Sequence, residues 1–150
     1  MTSPTIFVDA DACPVKEEVY KVARRCGCRV QVVANSFMRT PSGVTLTVVD
    51  AGPDAADDWI AERVQTGDIV ITNDIPLASR ALKAGGAALG ATGNAFTEAS
   101  IGAALAQREL MEHLRSFGEG LGGPKPFSPA DRSRFLSALD AAVQKSRRRS

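Results

Sequence analysis

The sequence predicts an α/β domain of three layers, in which helices cover both faces of a parallel five-stranded sheet. Short apolar runs alternate along the chain with segments whose apolar residues recur at helical spacing. The runs are almost continuously apolar, as in strands that are covered on both faces. Strands and helices in alternation form parallel sheets through right-handed crossovers. We therefore expect a doubly wound sheet with the strand order 3-2-1-4-5.

The individual elements follow from apolar runs, capping residues and turn residues. Five strands are predicted, at Ile6–Val8, Arg29–Ala34, Val44–Val49, Ile69–Thr72 and Ala87–Leu89. Five helices are predicted, beginning at Pro14, Asp54, Ile75 or Pro76, Glu98 and Ser128, and the first four end near Cys26, Gln65, Lys83 and Phe117. The segment Gly118–Pro126 is rich in glycine and proline and is predicted to be a loop. Residues expected to face inward from the last two helices are Ile101, Leu105, Leu110, Met111, Leu114, Phe135, Leu136, Leu139 and Val143.

Length and composition are those of an ordinary globular domain. The chain has 150 residues, of which 44% are hydrophobic and 23% charged. We expect one domain over 1–150, with C-terminal helices over about 98–146 packed on the sheet and a basic tail at 147–150. No apolar run approaches the ~20 residues of a transmembrane helix, and we find no signal peptide. Three cysteines, an odd number without framework spacing, favour reduced thiols and a cytoplasmic location.

Carboxylates follow the first and the fourth predicted strands. Asp9 and Asp11 come directly after the first strand, and Asp74 follows the fourth. Strands 1 and 4 are neighbours in the predicted order, and the crevice between their carboxyl ends is where such sheets bind ligands. We therefore expect Asp9, Asp11 and Asp74 to share one crevice.

A second acidic group opens the second predicted helix. Asp54, Asp57 and Asp58 are spaced i, i+3 and i+4, so they share one face of its first turn. The helix N-terminus offsets part of their repulsion, but a bound cation would offset far more. Each aspartate alone is more often a cap than a ligand, whereas six converging on one crevice favour a metal site. Carboxylates without histidine or thiolate partners favour Mg²⁺ or Mn²⁺ over zinc.

Three motifs carry a resemblance to a known family. They are Ile6-Phe7-Val8-Asp9-Ala10-Asp11-Ala12-Cys13-Pro14, Gly52-Pro53-Asp54-Ala55-Ala56-Asp57-Asp58 and Gly67-Asp68-Ile69-Val70-Ile71-Thr72-Asn73-Asp74. With Gly122-Gly123-Pro124 and the final helix, they resemble the YaiI/YqxD family of bacterial proteins over essentially the whole chain. That family is assigned to the PIN-like, NYN-related nuclease superfamily. The superfamily's acidic positions would fall on Asp9, on Asp57 together with Asp54 or Asp58, and on Asp74.

The resemblance implies a PIN-like fold and a divalent-metal-dependent nuclease, for which RNA is expected as the substrate in preference to DNA. Paired divalent ions ~4 Å apart can activate water and stabilise the leaving oxygen of a phosphodiester. We expect Asp9 and Asp74 to bind the metal directly and Asp57 to act as a ligand or as a base. The remaining acids, Asp11, Asp54 and Asp58, would hold metal-bound waters. The near-neutral charge of the chain departs from the more basic surface of most superfamily members.

Asn35 and Arg39 are candidate substrate-binding residues. They lie in the polar loop that follows the second strand, at the same end of the sheet as the acids. Both side chains can donate hydrogen bonds to phosphate oxygens. A surface role without any contact to substrate is the alternative.

Two other functions fit the same residues. An apolar run followed by Asp9-x-Asp11 also suits a haloacid-dehalogenase-like phosphatase, which uses a nucleophile and an acid/base pair. Such a phosphatase also needs a Ser or Thr after the second strand and a lysine after a later strand. Ser36 could be the first of these, but no lysine follows a later strand. The other alternative is a non-catalytic module that binds RNA or protein, because a fold alone does not establish an activity.

Positive charge is concentrated towards the C-terminus. The net charge of +1 comes from 18 basic and 17 acidic residues. Residues 1–107 carry 9 basic and 12 acidic side chains, a net charge of −3, and residues 108–150 carry 9 and 5, a net charge of +4. A basic end beside a metal-charged acidic pocket suits a polyanion. A solvated helix with a frayed tail is the favoured alternative for Lys145–Arg149.

Overall fold

The computed structural model describes residues 3–10, 13–50, 52, 54–116 and 127–149. Its strands are β1 (Thr5–Asp9), β2 (Arg29–Ala34), β3 (Val44–Val48), β4 (Ile69–Ile71) and β5 (Ala87–Leu89). All four strand pairings are parallel, and the strand order is β3-β2-β1-β4-β5. The predicted fold class and strand order are therefore confirmed.

Five helices connect and follow the strands. They are α1 (Lys16–Cys26), α2 (Ala55–Ala61), α3 (Ile75–Lys83), α4 (Glu98–Ser116) and α5 (Pro129–Arg149). The second helix ends earlier than predicted, because the amide of Arg63 already donates to the carbonyl of Ile60 in a tighter turn. The last helix begins as predicted. The amide of Asp131 donates to Ser128 Oγ at 3.2 Å, and Asp131 Oδ2 accepts from the amide of Ser128 at 2.9 Å.

The two faces of the sheet bury two hydrophobic clusters. Successive residues of a strand point to opposite faces, so Ile6 and Val8 pack with α1 and α5, whereas Phe7 packs with α2 and α3. Helix α5 contributes the fully buried side chains of Phe135 and Leu139. The C-terminal helix is therefore part of the core on the α1 side.

Several sequence-based expectations for the two C-terminal helices are wrong in detail. Leu105 and Leu110 are exposed, although their helical spacing predicted burial, because of the described side chains of α4 only Ile101 enters the core. Leu136 is only partly buried. Helix α5 continues through residues 147–149, which were predicted to form a tail. The side chains of Met111 and Leu114 and the predicted loop Gly118–Pro126 lie outside the described residues.

The two ends of α5 lie near opposite ends of the strands, one near their carboxyl ends and the other near their amino ends. Near its start, Arg132 Nη1 donates to the carbonyl oxygen of Pro14, which follows the carboxyl end of β1. Near its end, Ser146 Oγ donates to the carbonyl oxygen of Gly67, which precedes the amino end of β4, at 2.6 Å. The basic C-terminal residues therefore lie near the amino ends of the strands, whereas Asp9 lies at the carboxyl end of β1. Within the described ranges, no helix is long and apolar enough to cross a membrane.

Two phenylalanines provide a matched test of this packing. Phe135→Ala should lower the free energy of unfolding by about 3–5 kcal/mol, because it leaves a cavity in the core. Phe37→Ala should change it by less than about 0.5 kcal/mol, because that ring is 79% exposed. Urea denaturation followed by circular dichroism measures both. Equal losses in the two variants would contradict the packing of α5 in the core.

Candidate functional site

Strand β1 delivers Asp9 to the carboxyl edge of the sheet. Asp9 pairs in register with Val33 of β2, and Val8 pairs with Ile71 of β4. Because side chains alternate, Asp9 shares the face of Phe7, which is the face covered by α2 and α3. The side chain is buried, so its charge needs partners.

Thr72 links Asp9 to the next acidic residue. Its hydroxyl donates to Asp9 Oδ2 at 3.0 Å and accepts from the amide of Asp74, also at 3.0 Å. Thr72 is buried, and it stands directly after β4. From the sequence, Thr72 was expected only to pack or to bond locally, although the spacing Thr72-x-Asp74 indicates that the two residues act together. Thr72 therefore fixes the carboxylate of Asp9 relative to the backbone of Asp74.

Asp74 is both a helix cap and a member of the acidic group. Its Oδ2 accepts from the amide of Leu77 at 3.1 Å, which caps α3. The positive end of the α3 dipole stabilises the ionised carboxylate at this position. Capping and a functional role are therefore compatible in this residue.

Asp57 meets Asp74 from the first turn of α2. Partial burial raises the pKa of Asp57 from 3.8 to about 7, with further contributions from a side-chain hydrogen bond to Asp74 and from the negative charges of Asp74, Asp9 and Asp54. In the metal-free protein, Asp57 therefore keeps its proton up to about pH 7 and can donate it in the hydrogen bond to Asp74. The structure thus brings Asp9, Asp57 and Asp74 together, with Asp54 close enough to act electrostatically on Asp57.

The other predicted acids take different positions. Asp58 forms an exposed ion pair with Arg80 of α3 at 2.6 Å, which the sequence did not predict. Asp54 is exposed at the N-cap of α2, and its side chain makes no capping hydrogen bond. Asp11 lies outside the described residues.

The loop after β2 leaves the sheet at the same end as Asp9, because β2 runs parallel to β1. Asn35 and Arg39 are exposed on it, and their predicted contact with phosphate stays a prediction. Met38 packs against the core on the α1 side and anchors the loop. Its neighbour Phe37 is 79% exposed, which no pattern in the sequence predicted.

The acidic group fits some metal ions better than others. Among the described residues, no group of three or more His, Cys, Asp or Glu side chains is arranged to hold a metal ion. An ion held entirely by protein ligands therefore does not fit this part of the chain. Mg²⁺ usually keeps several waters and binds through only one or two carboxylates. The adjacent carboxylates of Asp57 and Asp74 fit such a water-rich ion.

Comparisons with known proteins agree on one bacterial family. The family model of the uncharacterized YaiI/YqxD family matches residues 7–145. A UPF0178 protein of Caulobacter sp. strain K31 is 65% identical over 145 residues, which cover 95% of this chain and 96% of the relative. A UPF0178 protein of Rhodopseudomonas palustris strain BisB18 is 59% identical over 149 residues, which cover 97% and 96%. No solved structure matches significantly.

The raised pKa of Asp57 makes the metal-free protein sensitive to pH. The folded state holds the proton up to about pH 7, whereas the unfolded chain releases it near 3.8. The stability from this group is therefore complete below the unfolded value and is lost as the pH rises through about 7. Urea unfolding in the presence of a chelator should show this loss, and Asp57→Asn should flatten it. Asp58→Asn is the control and should keep the wild-type profile; equal profiles in wild type and Asp57→Asn would contradict the assignment.

Proposed function

This chain belongs to the YaiI/YqxD family, and we propose that it is a divalent-metal-dependent nuclease that hydrolyses phosphodiesters. One observation carries the proposal. Asp57, in the first turn of α2, forms a hydrogen bond with Asp74 and lies close enough to Asp9 for its charge to act on Asp57. Asp9 and Asp74 stand at the carboxyl ends of two adjacent parallel strands. Mutual repulsion of this kind is relieved by a cation, and Mg²⁺ or Mn²⁺ prefers oxygen ligands.

The proposed site uses a subset of the predicted acids. Asp57 and Asp74 would hold the ion, with Asp9 as the acceptor of a hydrogen bond from a water bound to it. A bound divalent ion supplies Lewis-acid stabilisation of the phosphoryl oxygens. Asp57 would accept a proton from the attacking water if it is not itself a ligand, since its pKa of about 7 suits a base.

Asp54, Asp58 and Asp11 have lesser or different roles in this proposal. Asp54 would add negative charge and bind a water of the ion, because it acts on Asp57 electrostatically. Asp58 is left out of the ligand set, because its carboxylate is already paired with Arg80. Asp11 stays a predicted ligand on the strength of the sequence motif alone.

A nucleic acid, RNA rather than DNA, is the proposed substrate, and the loop after β2 would contact it. Arg39 is exposed and takes part in none of the ion pairs of the described chain, so its guanidinium is available for phosphate. Asn35 would donate to a neighbouring phosphate or sugar oxygen. The exposed ring of Phe37 offers a face for base stacking. A cytoplasmic location is proposed because the three cysteines are free thiols.

Removal of the acids tests catalysis directly. Asp9→Asn and Asp74→Asn should each slow Mg²⁺-dependent cleavage of a single-stranded RNA by about 100-fold or more, since the metal contributes several kcal/mol to the transition state. Asp58→Asn is the matched control and should change the rate less than about threefold, because an exposed ion pair contributes little. A chelator should abolish cleavage in all three proteins.

The same assay separates the alternatives. RNA binding without any metal-dependent cleavage would support a non-catalytic binding module. Phosphate transfer to Asp9 from a small phosphoester would support a phosphatase. Equal rates in Asp74→Asn and Asp58→Asn would remove the proposed site even if some cleavage occurred.

Two arginines on β2 and its following loop test the substrate surface. Arg39→Ala should weaken RNA binding and reduce the slope of log K against log salt concentration by about one, because one phosphate contact is lost. Arg29→Ala is the control, since Arg29 is also exposed but lies at the amino end of the same strand. Fluorescence anisotropy at several salt concentrations measures both. Equal slopes for the two variants would contradict a role for the loop.

A further inference from the structure

The two edge strands of the sheet, β5 and β3, differ in whether the chain covers them. The segment that follows β5 bonds to its outer edge: the amide of Phe96 donates to the carbonyl of Ala88 at 2.9 Å. Leu89 and Ala95 form an antiparallel bridge in the same place. In the described part of the chain, β3 pairs with β2 alone, so its outer edge meets no strand. The chain therefore covers the β5 edge and leaves the β3 edge open.

The open edge of β3 presents backbone hydrogen-bonding groups. Val48 stands opposite Ala34 of β2, and the amide of Val49 donates to the carbonyl of Ala34 at 2.9 Å. In a parallel pair every second residue directs its amide and carbonyl at the neighbouring strand, here including Val49, so those of Leu46 and Val48 point outward. No residue within the described ranges bonds to these outward groups. They are available to another strand.

None of the usual protections of an edge strand is found in β3. Such strands are commonly protected by charged residues, by proline or by a bulge. The sequence of β3 is Val44-Thr45-Leu46-Thr47-Val48, and its register with β2 is continuous. These residue types favour strands, and the side chain of Val48 is 51% exposed. The edge is therefore suited to pairing with a further strand.

The sequence of β3 also reads the same in both directions. Two copies that pair antiparallel about Leu46 set valine opposite valine and threonine opposite threonine. Leu46 and the two valines lie on the face of the α1-side cluster. The threonines lie on the other face, where Gln31 Nε2 donates to Thr47 Oγ1 at 2.8 Å. Pairs of β-branched residues and of threonines are favourable across neighbouring strands, so β3 is complementary to itself.

We propose that β3 is a self-association edge, to which a second copy of this chain adds its own β3 in antiparallel orientation. The interface is isologous, and a two-fold axis passes beside Leu46. Addition of an antiparallel strand to a parallel sheet gives a mixed sheet, which is a common arrangement. The inference goes beyond the proposed function, because it requires neither a metal ion nor a nucleic acid.

The backbone of β3 sets the bonds of this pairing. The two copies of Leu46 exchange amide-to-carbonyl hydrogen bonds across the axis, and the amide of Val48 donates to the carbonyl of Val44 in the second copy. That carbonyl already accepts from Thr40 Oγ1 at 3.4 Å, but a carbonyl oxygen has two lone pairs. The amide of Val44 stays bonded to the carbonyl of Pro41, at 3.2 Å.

Sedimentation of the full-length protein over a range of concentrations tests the interface. Two five-residue strands make a small contact, so we expect a dimer with a Kd on the order of 100 μM. Val48→Lys should raise the Kd about 10-fold or more, because a charge on an edge strand opposes pairing. Leu110→Lys is the matched control and should change the Kd less than about twofold. Leu110 is 56% exposed on α4, which packs on α3 at the β5 side of the sheet.

Cysteine cross-linking tests the register independently of affinity. In the proposed pairing, Thr45 faces Thr47 of the second copy with Cα atoms about 4.5 Å apart, which is within the reach of a disulfide. A mixture of the Thr45→Cys and Thr47→Cys proteins should give a cross-linked dimer under a mild oxidant. Either protein alone should not form a link at its new cysteine. Mass spectrometry of the peptides distinguishes these links from any that involve Cys28, which is partly exposed.

Three outcomes would overturn the inference. The first is a wild-type protein that stays monomeric at about 1 mM. The second is a dimer that Leu110→Lys weakens as much as Val48→Lys does, which would point to α4 as the interface. The third is a mixture of the two cysteine variants that gives no link between residues 45 and 47. A β3 edge that binds extended peptides of other proteins would give the first outcome.

Discussion

The parallel pairing of β1 with β4 is the constraint on which the site depends. It sets two segments 63 residues apart side by side, so that Thr72 can donate to Asp9. The register also decides the direction of Asp9. A slip of one residue would turn this carboxylate from the α2–α3 face to the α1–α5 face, away from Asp57 and Asp74. The site therefore takes its precision from the sheet, which the two buried clusters hold in place.

Carboxylates in such proximity oppose folding unless something relieves their repulsion. In the metal-free protein, three groups do so: the hydroxyl of Thr72, the N-terminus of α3 at Asp74, and the proton that Asp57 keeps up to about pH 7. A cation would replace the proton and add its own charge. The arrangement thus sacrifices stability at neutral pH, which is typical of sites that are shaped for binding or catalysis.

The strands and their order could be predicted from local sequence patterns and topology rules. The contacts and burial of single side chains could not, because they depend on residues that are distant in the sequence. Apolar runs predicted every strand, and the strand order then brought Asp9 and Asp74 together. The spacing of Asp57 and Asp58 shows that they share one helix face, but only the packing of α3 against α2 reveals that Arg80 takes one of them. Likewise, the periodicity of α4 could not show that Leu105 and Leu110 have no core to enter.

The position of α5 bears on whether the excess positive charge of residues 108–150 can attract a nucleic acid to the acidic site. Its start contacts the turn after β1, whereas Ser146 near its end bonds to Gly67 near the amino ends of the strands. The five residues of β1 alone span about 13 Å, and the Debye length at physiological salt is about 8 Å. Solvent ions therefore screen most of the attraction between the basic end and a phosphate at Asp9. A polyanion at the acidic site has to be attracted by the metal and by Arg39, not by the C-terminal charges. The C-terminal charge excess is therefore poor evidence for nucleic-acid binding at this site.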